Sequence, residues 1–254
     1  PTGRYGCTAL KKILDFAVRT FEPMEPAVPE RKHECSHSLS EFESLNYLSS
    51  HGVPVPPQAV AATADAAVEE AGKLGYPLSV KIHSRDIRHK SDVGGVKLNI
   101  RDEAELRAAF AAVMDNCAKN APDARLEGVL LKPMLKYGTE MIIGVNNDRD
   151  FGPMIMVGMG GVFVELFKDV ALAPAPLTGK QARNMIESLA SYPLLNGYRG
   201  GAVCDKEALV NLLVKISEMA AEGKDKVKEL DINPVFITED GAAIADALLV
   251  MYDD

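Results

Sequence analysis

Residues 79–99, SVKIHSRDIRHKSDVGGVKLN, hold the densest set of reactive side chains in the chain. Val80 and Ile82 alternate with Lys81 and His83 as in a strand, which then breaks into a loop carrying Arg85, Asp86, Arg88, His89, Lys90, Ser91 and Asp92. Gly94 and Gly95 follow, and Val96 and Leu98 resume the alternation. Connections between strands usually take about two to five residues, so a longer loop rich in donors is where a scaffold carries chemistry. A lysine at a strand end and glycines that let backbone N–H groups come close to an oxyanion suit a polyphosphate. The plain alternative is a solvated loop with a turn at the glycines. His89 lies between Arg88 and Lys90. Two cations disfavour imidazole protonation, favour the neutral nucleophile and attract a phosphoryl group, although a lone histidine is more often a surface residue.

A second constellation is Glu229-Leu230-Asp231-Ile232-Asn233-Pro234. In a strand, Leu230 and Ile232 share one face, and Glu229, Asp231 and Asn233 share the other. Three oxygen-bearing side chains on one face suit a hard cation such as Mg²⁺, or simply an exposed polar face. A hairpin turn at Glu239-Asp240-Gly241 follows. With Glu239-Asp240 as the loop, Asn233 stands opposite Asp246; with Asp240-Gly241, the favoured Asp-Gly type, Asp246 is a diagonal neighbour on the same face; only a three-residue loop turns it away. Asp246 sits among alanines and Ile244, company in which a carboxylate requires a partner or a metal. The glycines of Gly158-Met159-Gly160-Gly161 are a weak signal, and Lys132 and Glu140 are ordinary when taken alone. There is no GxxxxGK[ST] and no helix-opening GxGxxG, so neither a P-loop nor a Rossmann unit is indicated.

The elements that must position these residues follow from caps and periodicity. Ser40 with Glu43 predicts a capped helix with Phe42, Leu45 and Leu48 inward and Gly52 as its stop. A strand at 59–62, a helix from Thr63 to Gly75, and a helix begun by Asp102 and Glu105 come next. Strands are expected at 128–131, 139–145, 153–157 and 162–167. Helices follow at Thr178/Gln181 and at Asp205, the latter with a stripe of Leu209, Leu212, Leu213, Ile216 and Met219. Strands over 227–237 and 242–249 close the chain. Mixed strands and helices with hairpin-like pairs indicate α+β rather than a βαβ series. Residues 1–22, with a short helix near 9–16, read as an arm, and 23–38, with Pro23, Pro26 and Pro29, as an extended linker. The expected division is therefore 1–38 and 39–254.

At 254 residues the chain can bury a large core, and its 47% hydrophobic and 25% charged content is that of a globular protein. A net charge of −8 argues against nucleic-acid binding but allows a local basic cluster to hold one anionic ligand. Cys7, Cys35, Cys117 and Cys204 are scattered without a CxxC pair, which fits free thiols in a reducing cytoplasm. No apolar run has transmembrane length and no signal peptide opens the sequence, so no membrane role is expected.

VKIHSRDIRHKSDVGGV, GTEMIIGVNNDRDFGPMIMVGMGGVFVELFKDV and ELDINPV, in this order, resemble the ATP-grasp domain of ADP-forming acyl-CoA synthetases, a family related to succinyl-CoA synthetase β chains. The resemblance spans about residues 39–252 and departs from the pattern at Arg85, Arg88 and Met159. It implies an ATP-grasp fold, with two α+β lobes clamping ATP or ADP with Mg²⁺. It matches Lys81 to a phosphate-binding lysine, and Lys132 to the interlobe hinge, where backbone near Val129, Leu130 and Leu131 holds adenine. Glu140 matches an acidic residue contacting ribose. Asn233 and Asp246 match magnesium ligands, with Asp231 as a helper, and His89 matches a phosphoryl-relay histidine. It further implies a partner CoA-ligase (α-type) subunit or domain within a hetero- or homo-oligomer, and makes the first residues similar to the tail of such a domain. Rival expectations are an ATP-grasp ligase joining a carboxylate to an amine, and a regulatory ATP-grasp module of an acetyltransferase.

Overall fold

The computed structural model describes residues 35–87, 89–161 and 169–253. The arm helix near 9–16, most of the proline-rich linker and the strand expected at 162–167 lie outside them. Two antiparallel sheets are each covered by helices. The smaller sheet has four strands in the order β2 (Ala59–Ala61), β5 (Val129–Pro133), β3 (Leu78–Ile82) and β4 (Val96–Ile100). The larger has seven. Its path runs β1 (Ser36–Ser38), β11 (Ala247–Tyr252), β9 (Val227–Thr238), β6 (Thr139–Asp148), β7 (Gly152–Met159) and β8 (Val170–Pro174), and β10 (Gly241–Ile244) also pairs with β9.

All the described α-helices but the short α5 begin where side chains satisfy free N–H groups of the first turn. Ser40 and Glu43 form a reciprocal capping box at α1 (Glu41–Ser50). Thr63 caps α2 (Ala64–Leu74) and Asp102 caps α3 (Glu103–Asn120). Thr178 and Gln181 form a second capping box at α4 (Gly179–Glu187). A short helix, α5 (Tyr192–Leu195), precedes α6 (Lys206–Glu222), which is capped by Asp205. The predicted stripe of α6 is buried throughout against the larger sheet, together with Leu45 and Leu48 of α1. A separate core joins α2 and α3 to the smaller sheet through Ala67, Leu106, Val113, Val80, Ile82, Val129 and Leu131. Among the described residues no helix is long and apolar enough to cross a membrane.

The structure differs from expectation in three elements. Ser36–Ser38, read as linker, pair with Val250, Met251 and Tyr252 as β1, so the sheet begins before residue 39. β8 alternates exposed Val170, Leu172 and Pro174 with half-buried Ala171 and Ala173, so its larger residues face outward and its sequence has no apolar–polar alternation to mark it as a strand. The single strand expected over 242–249 is two, interrupted at Ala245-Asp246.

Candidate active site

A cleft of about 610 Å³ is lined by both sheets and by the loop after β3. Strand alternation sends Val80, Ile82, Val129 and Leu131 into the small core. The opposite face carries Ser79, Lys81, Leu130 and Lys132, with Ser79 paired to Lys132 and Lys81 to Leu130. Two lysines thus reach the same side of the sheet from neighbouring strands.

Both are met by Glu41, the first residue of α1. Its Oε1 lies 2.7 Å from Lys81 Nζ and 3.0 Å from Lys132 Nζ, and its Oε2 lies 3.2 Å from Lys90 Nζ. Burial pushes the Glu41 carboxyl up, but Lys81, Lys132 and Lys90 together outweigh it and hold the group at about 2. Burial of Lys132 lowers its ammonium below the usual lysine range despite Glu41. Lys81, which is also buried but gains Asp246 as a second partner, is raised. Lys81 donates to Asp246 Oδ2 at 3.1 Å, and Lys81 and Lys132 donate to the carbonyl of Ala245 at 3.3 and 2.6 Å.

That carbonyl is available because of Pro234. β10 pairs Gly241 with Thr238 and β11 pairs Ala247 with Ile232, which leaves Glu239-Asp240 as a two-residue loop. Of the registers considered, this is the one that sets Asn233 opposite Asp246, and Asn233 N–H donates to the Asp246 carbonyl at 3.2 Å. Ala245 N–H donates to the Pro234 carbonyl at 2.9 Å, but proline has no N–H to return. The Ala245 oxygen therefore takes lysine ammonium donors instead, satisfying a group that would otherwise be costly to bury. On its other side β9 bulges, since Met141 pairs with Val235 but Ile143 with Ile232. Bulges of this kind re-aim side chains beside functional sites.

Asp231 and Asn233 line the same cleft as Asp246, and Leu230 and Ile232 point inward, as the alternation predicts. Loss of solvent, and then the charges of Glu229 and Asp246, raise Asp231 above the usual carboxylate range. Burial and then Glu41 raise Asp246, with Lys81 and Lys90 opposing. Two carboxylates and an amide on one wall are hard oxygen donors. They fit Mg²⁺, which takes one or two carboxylates and fills its shell with water and substrate phosphates. They do not enclose an ion unaided: no group of three histidine, cysteine or acidic residues able to hold a metal occurs among the described residues.

The loop between β3 and β4 is pinned on both sides of His89. Arg85 pairs with Glu43, Lys90 with Glu41, and Asp86 accepts from Arg125 N–H at 2.8 Å. Asn116 donates to the Gly94 carbonyl at 3.2 Å. His89 itself is exposed and lines the cleft. Gly94 and Gly95 do not line it. Their N–H groups donate to the carbonyls of Ser91 and Lys90 at 3.1 and 2.8 Å, so they shape the loop rather than offering donors to an anion.

Other expected residues are arranged differently. Val129, Leu130 and Leu131 are buried in β5 and do not line the cleft, whereas Pro133, Met134 and Leu135 just beyond them do. Glu140 lines a second cavity of about 730 Å³ with Gly160, Gly161, Tyr198 and Cys204, and Tyr137 lines both cavities. Sequence reasoning missed Glu41 altogether. An acid in a first helical turn reads as an exposed complement to the helix dipole, and its burial comes from packing alone.

The description "ATP-grasp domain" matches residues 30–251. The chain is 43% identical to the β subunit of ADP-forming acetate–CoA ligase II of Pyrococcus furiosus, over 84% of this chain and 92% of that one. Among solved structures it is similar to dinucleotide-forming acetyl-coenzyme A synthetase 1 of Ca. Korarchaeum cryptofilum in complex with coenzyme A, Ca-AMPCP and HgCl⁺. That likeness has a TM-score of 0.82 and 40% identity, covering 85% of this chain and 93% of that one. A second structure of that enzyme holds coenzyme A and Mg-AMPPCP with its phosphohistidine segment pointing towards the nucleotide site. It matches with a TM-score of 0.75 and 37% identity, over 84% and 92% of the two chains. With an ATP-grasp match over most of its length and this identity to a nearly full-length relative, the chain belongs to the ATP-grasp β subunits of the ADP-forming acetate–CoA ligases.

Proposed function

We propose that the cleft binds ADP or ATP and passes a phosphoryl group between the nucleotide and a phosphohistidine of a partner CoA-ligase subunit or domain, during reversible acyl-CoA formation from a carboxylate and CoA. The observation that carries this reading is the convergence of Lys81, Lys132, Asp246 and the His89 loop on one cleft. Lys81 and Lys132 lie where they can hold phosphate oxygens, and the apolar residues Met134, Leu135, Val96 and Phe236 offer a base a dry wall. Asn233, Asp246 and Asp231 would hold Mg²⁺, which, when bound, offsets the phosphate charge. Phosphoryl transfer is dominated by positioning and electrostatic stabilisation, and ammonium groups and hard ligands serve both.

In the direction of ATP synthesis, His89 takes the phosphoryl group from the partner's phosphohistidine. One P–N bond breaks as another forms. A terminal oxygen of ADP then attacks phosphorus, the His89–phosphorus bond breaks, and neutral imidazole is regenerated. Exchanging His89 for Asn should abolish acyl-CoA synthesis by the complete enzyme while leaving nucleotide binding within about threefold, since a nucleophile contributes to transfer more than to affinity. Normal turnover by that variant removes His89 from the relay. Failure to trap any phosphohistidine from labelled ATP would instead favour direct carboxylate activation.

A further inference from the structure

We infer that Glu41 is a positioning residue for phosphoryl transfer, a buried carboxylate that gathers Lys81, Lys90 and Lys132 into one array facing the cleft. The inference rests on reading the cleft as the nucleotide site. Its basis is geometric. The three ammonium groups come from β3, from the His89 loop and from β5, and all lie within 3.2 Å of a single carboxylate. The Glu41 side chain is 1% exposed and that of Lys132 3%, against 13% for Lys81 and Lys90. Glu41 therefore lies behind Lys81 and Lys90 at the back of the cleft, with Lys132 buried beside it.

Burying a carboxylate is costly and is tolerated when it is paired. A helix N-terminus favours an acid, but an exposed one satisfies the dipole equally well. The dipole thus accounts for the residue type and not for its burial under three lysines. Oε2 has no hydrogen-bond partner in the described structure, and its neighbour is the Lys90 ammonium. Without this carboxylate three like charges would repel one another, and the flexible lysine stems would spread them. Lys90 directly follows His89, so the same carboxylate that sets Lys81 and Lys132 also sets the register of the histidine loop.

Removing the Glu41 charge makes the site more positive while scattering its donors. Ground-state attraction for a polyanion is then retained, while groups aimed at the transferring phosphoryl group lose their alignment. The consequence is a fall in kcat with little change in KM. The experiment measures Mg-ADP binding to the chain by calorimetry, and ATP formation from acetyl-CoA, ADP and phosphate by the chain with its CoA-ligase partner. Lys81→Met is the control: unchanged ADP binding would show that the cleft is not the nucleotide site, and the underlying reading would fail. With that control weakened as expected, Glu41→Gln should lower kcat at least about tenfold and move the KM for ADP less than about threefold. ADP affinity should also fall more steeply with added KCl, because the site carries one more net positive charge. Glu41→Asp, which restores the charge, should recover part of kcat. A merely structural carboxylate predicts a lower melting temperature with kcat and salt dependence unchanged in the folded protein, and that result overturns the inference. If Glu41→Gln does not fold, Glu41→Asp decides: lowered kcat at unchanged KM supports the array, and wild-type kcat overturns it.

Discussion

Asp246 has two possible partners that exclude one another in part. In the structure it accepts from Lys81 at 3.1 Å, and it stands on the wall that also carries Asn233 and Asp231. A cation bound there would draw the carboxylate away from the ammonium and leave Lys81 freer to meet a phosphate. Exchanging Asp246 for Asn removes the charge but keeps the shape. Without Mg²⁺, ADP binding should be unchanged or tighter, because one negative charge has left the proposed polyanion site. With Mg²⁺, binding should weaken at least about tenfold, a difference on the order of 1.4 kcal/mol. Calorimetric titrations with and without the metal read both signs, and equal effects in the two would take Asp246 out of the metal site.

The loop joining β3 to β4 holds His89 through side chains of α1 and α3, and its closing glycines are packed, not open. A Cβ on Gly95 would lie 2.7 Å from Ile82 Cγ2 and 2.9 Å from both Cys117 Sγ and the Lys90 carbonyl. Gly95→Ala should therefore cost about 1–3 kcal/mol by overpacking. Because the clash pushes on Lys90, it should slow turnover as well. Gly72, exposed in α2 with nothing within 4 Å of an added Cβ, gives the opposite sign. Gly72→Ala should stabilise by up to about 1 kcal/mol through helix propensity alone. Thermal melts of the two variants test both, and a Gly95→Ala protein as stable as wild type would mean the loop can yield there. Elements of this kind were legible in the sequence wherever one local signal sufficed. Ser40/Glu43 and Thr178/Gln181 announce helix starts, whereas the turn after β9 left three registers open, and the structure takes the Glu239-Asp240 loop rather than the favoured Asp-Gly one. What could not be read depends on distant partners. Ser36–Ser38 become a strand only because β11 offers an edge, and Glu41 is buried only because lysines from β3, β5 and the loop close over it. Pro234 was visible as a motif residue, but its effect on Ala245 requires the pairing between β9 and the end of the chain.

At the scale of the whole molecule, Glu41 joins two bodies with separate cores. α1 packs on the larger sheet through Leu45 and Leu48, while Lys81 and Lys132 belong to the smaller one. The charge on this carboxylate is thus part of what holds the small sheet against the large one. Its pKa lies at about 2 in the folded protein against an ordinary 4.5, so folding is favoured by the ionised form. The contribution is complete above about pH 4.5 and is lost as pH falls through about 2. A shift of this size corresponds to something on the order of 3 kcal/mol. Burial pushes Glu43 up, but its hydrogen bonds to Arg85 and Ser40 outweigh this and lower it, which adds acid sensitivity of the same sign. The Glu43 background is shared by a Glu41→Gln variant, whereas Asp246, which Glu41 raises, titrates together with Glu41, so the comparison reads the two coupled carboxylates. The gap in melting temperature between wild type and Glu41→Gln should be widest near neutral pH and should close as pH falls from about 5 to about 2. A gap that stays constant across that window would mean the carboxylate stabilises by shape and packing, with its charge contributing nothing to holding the two sheets together.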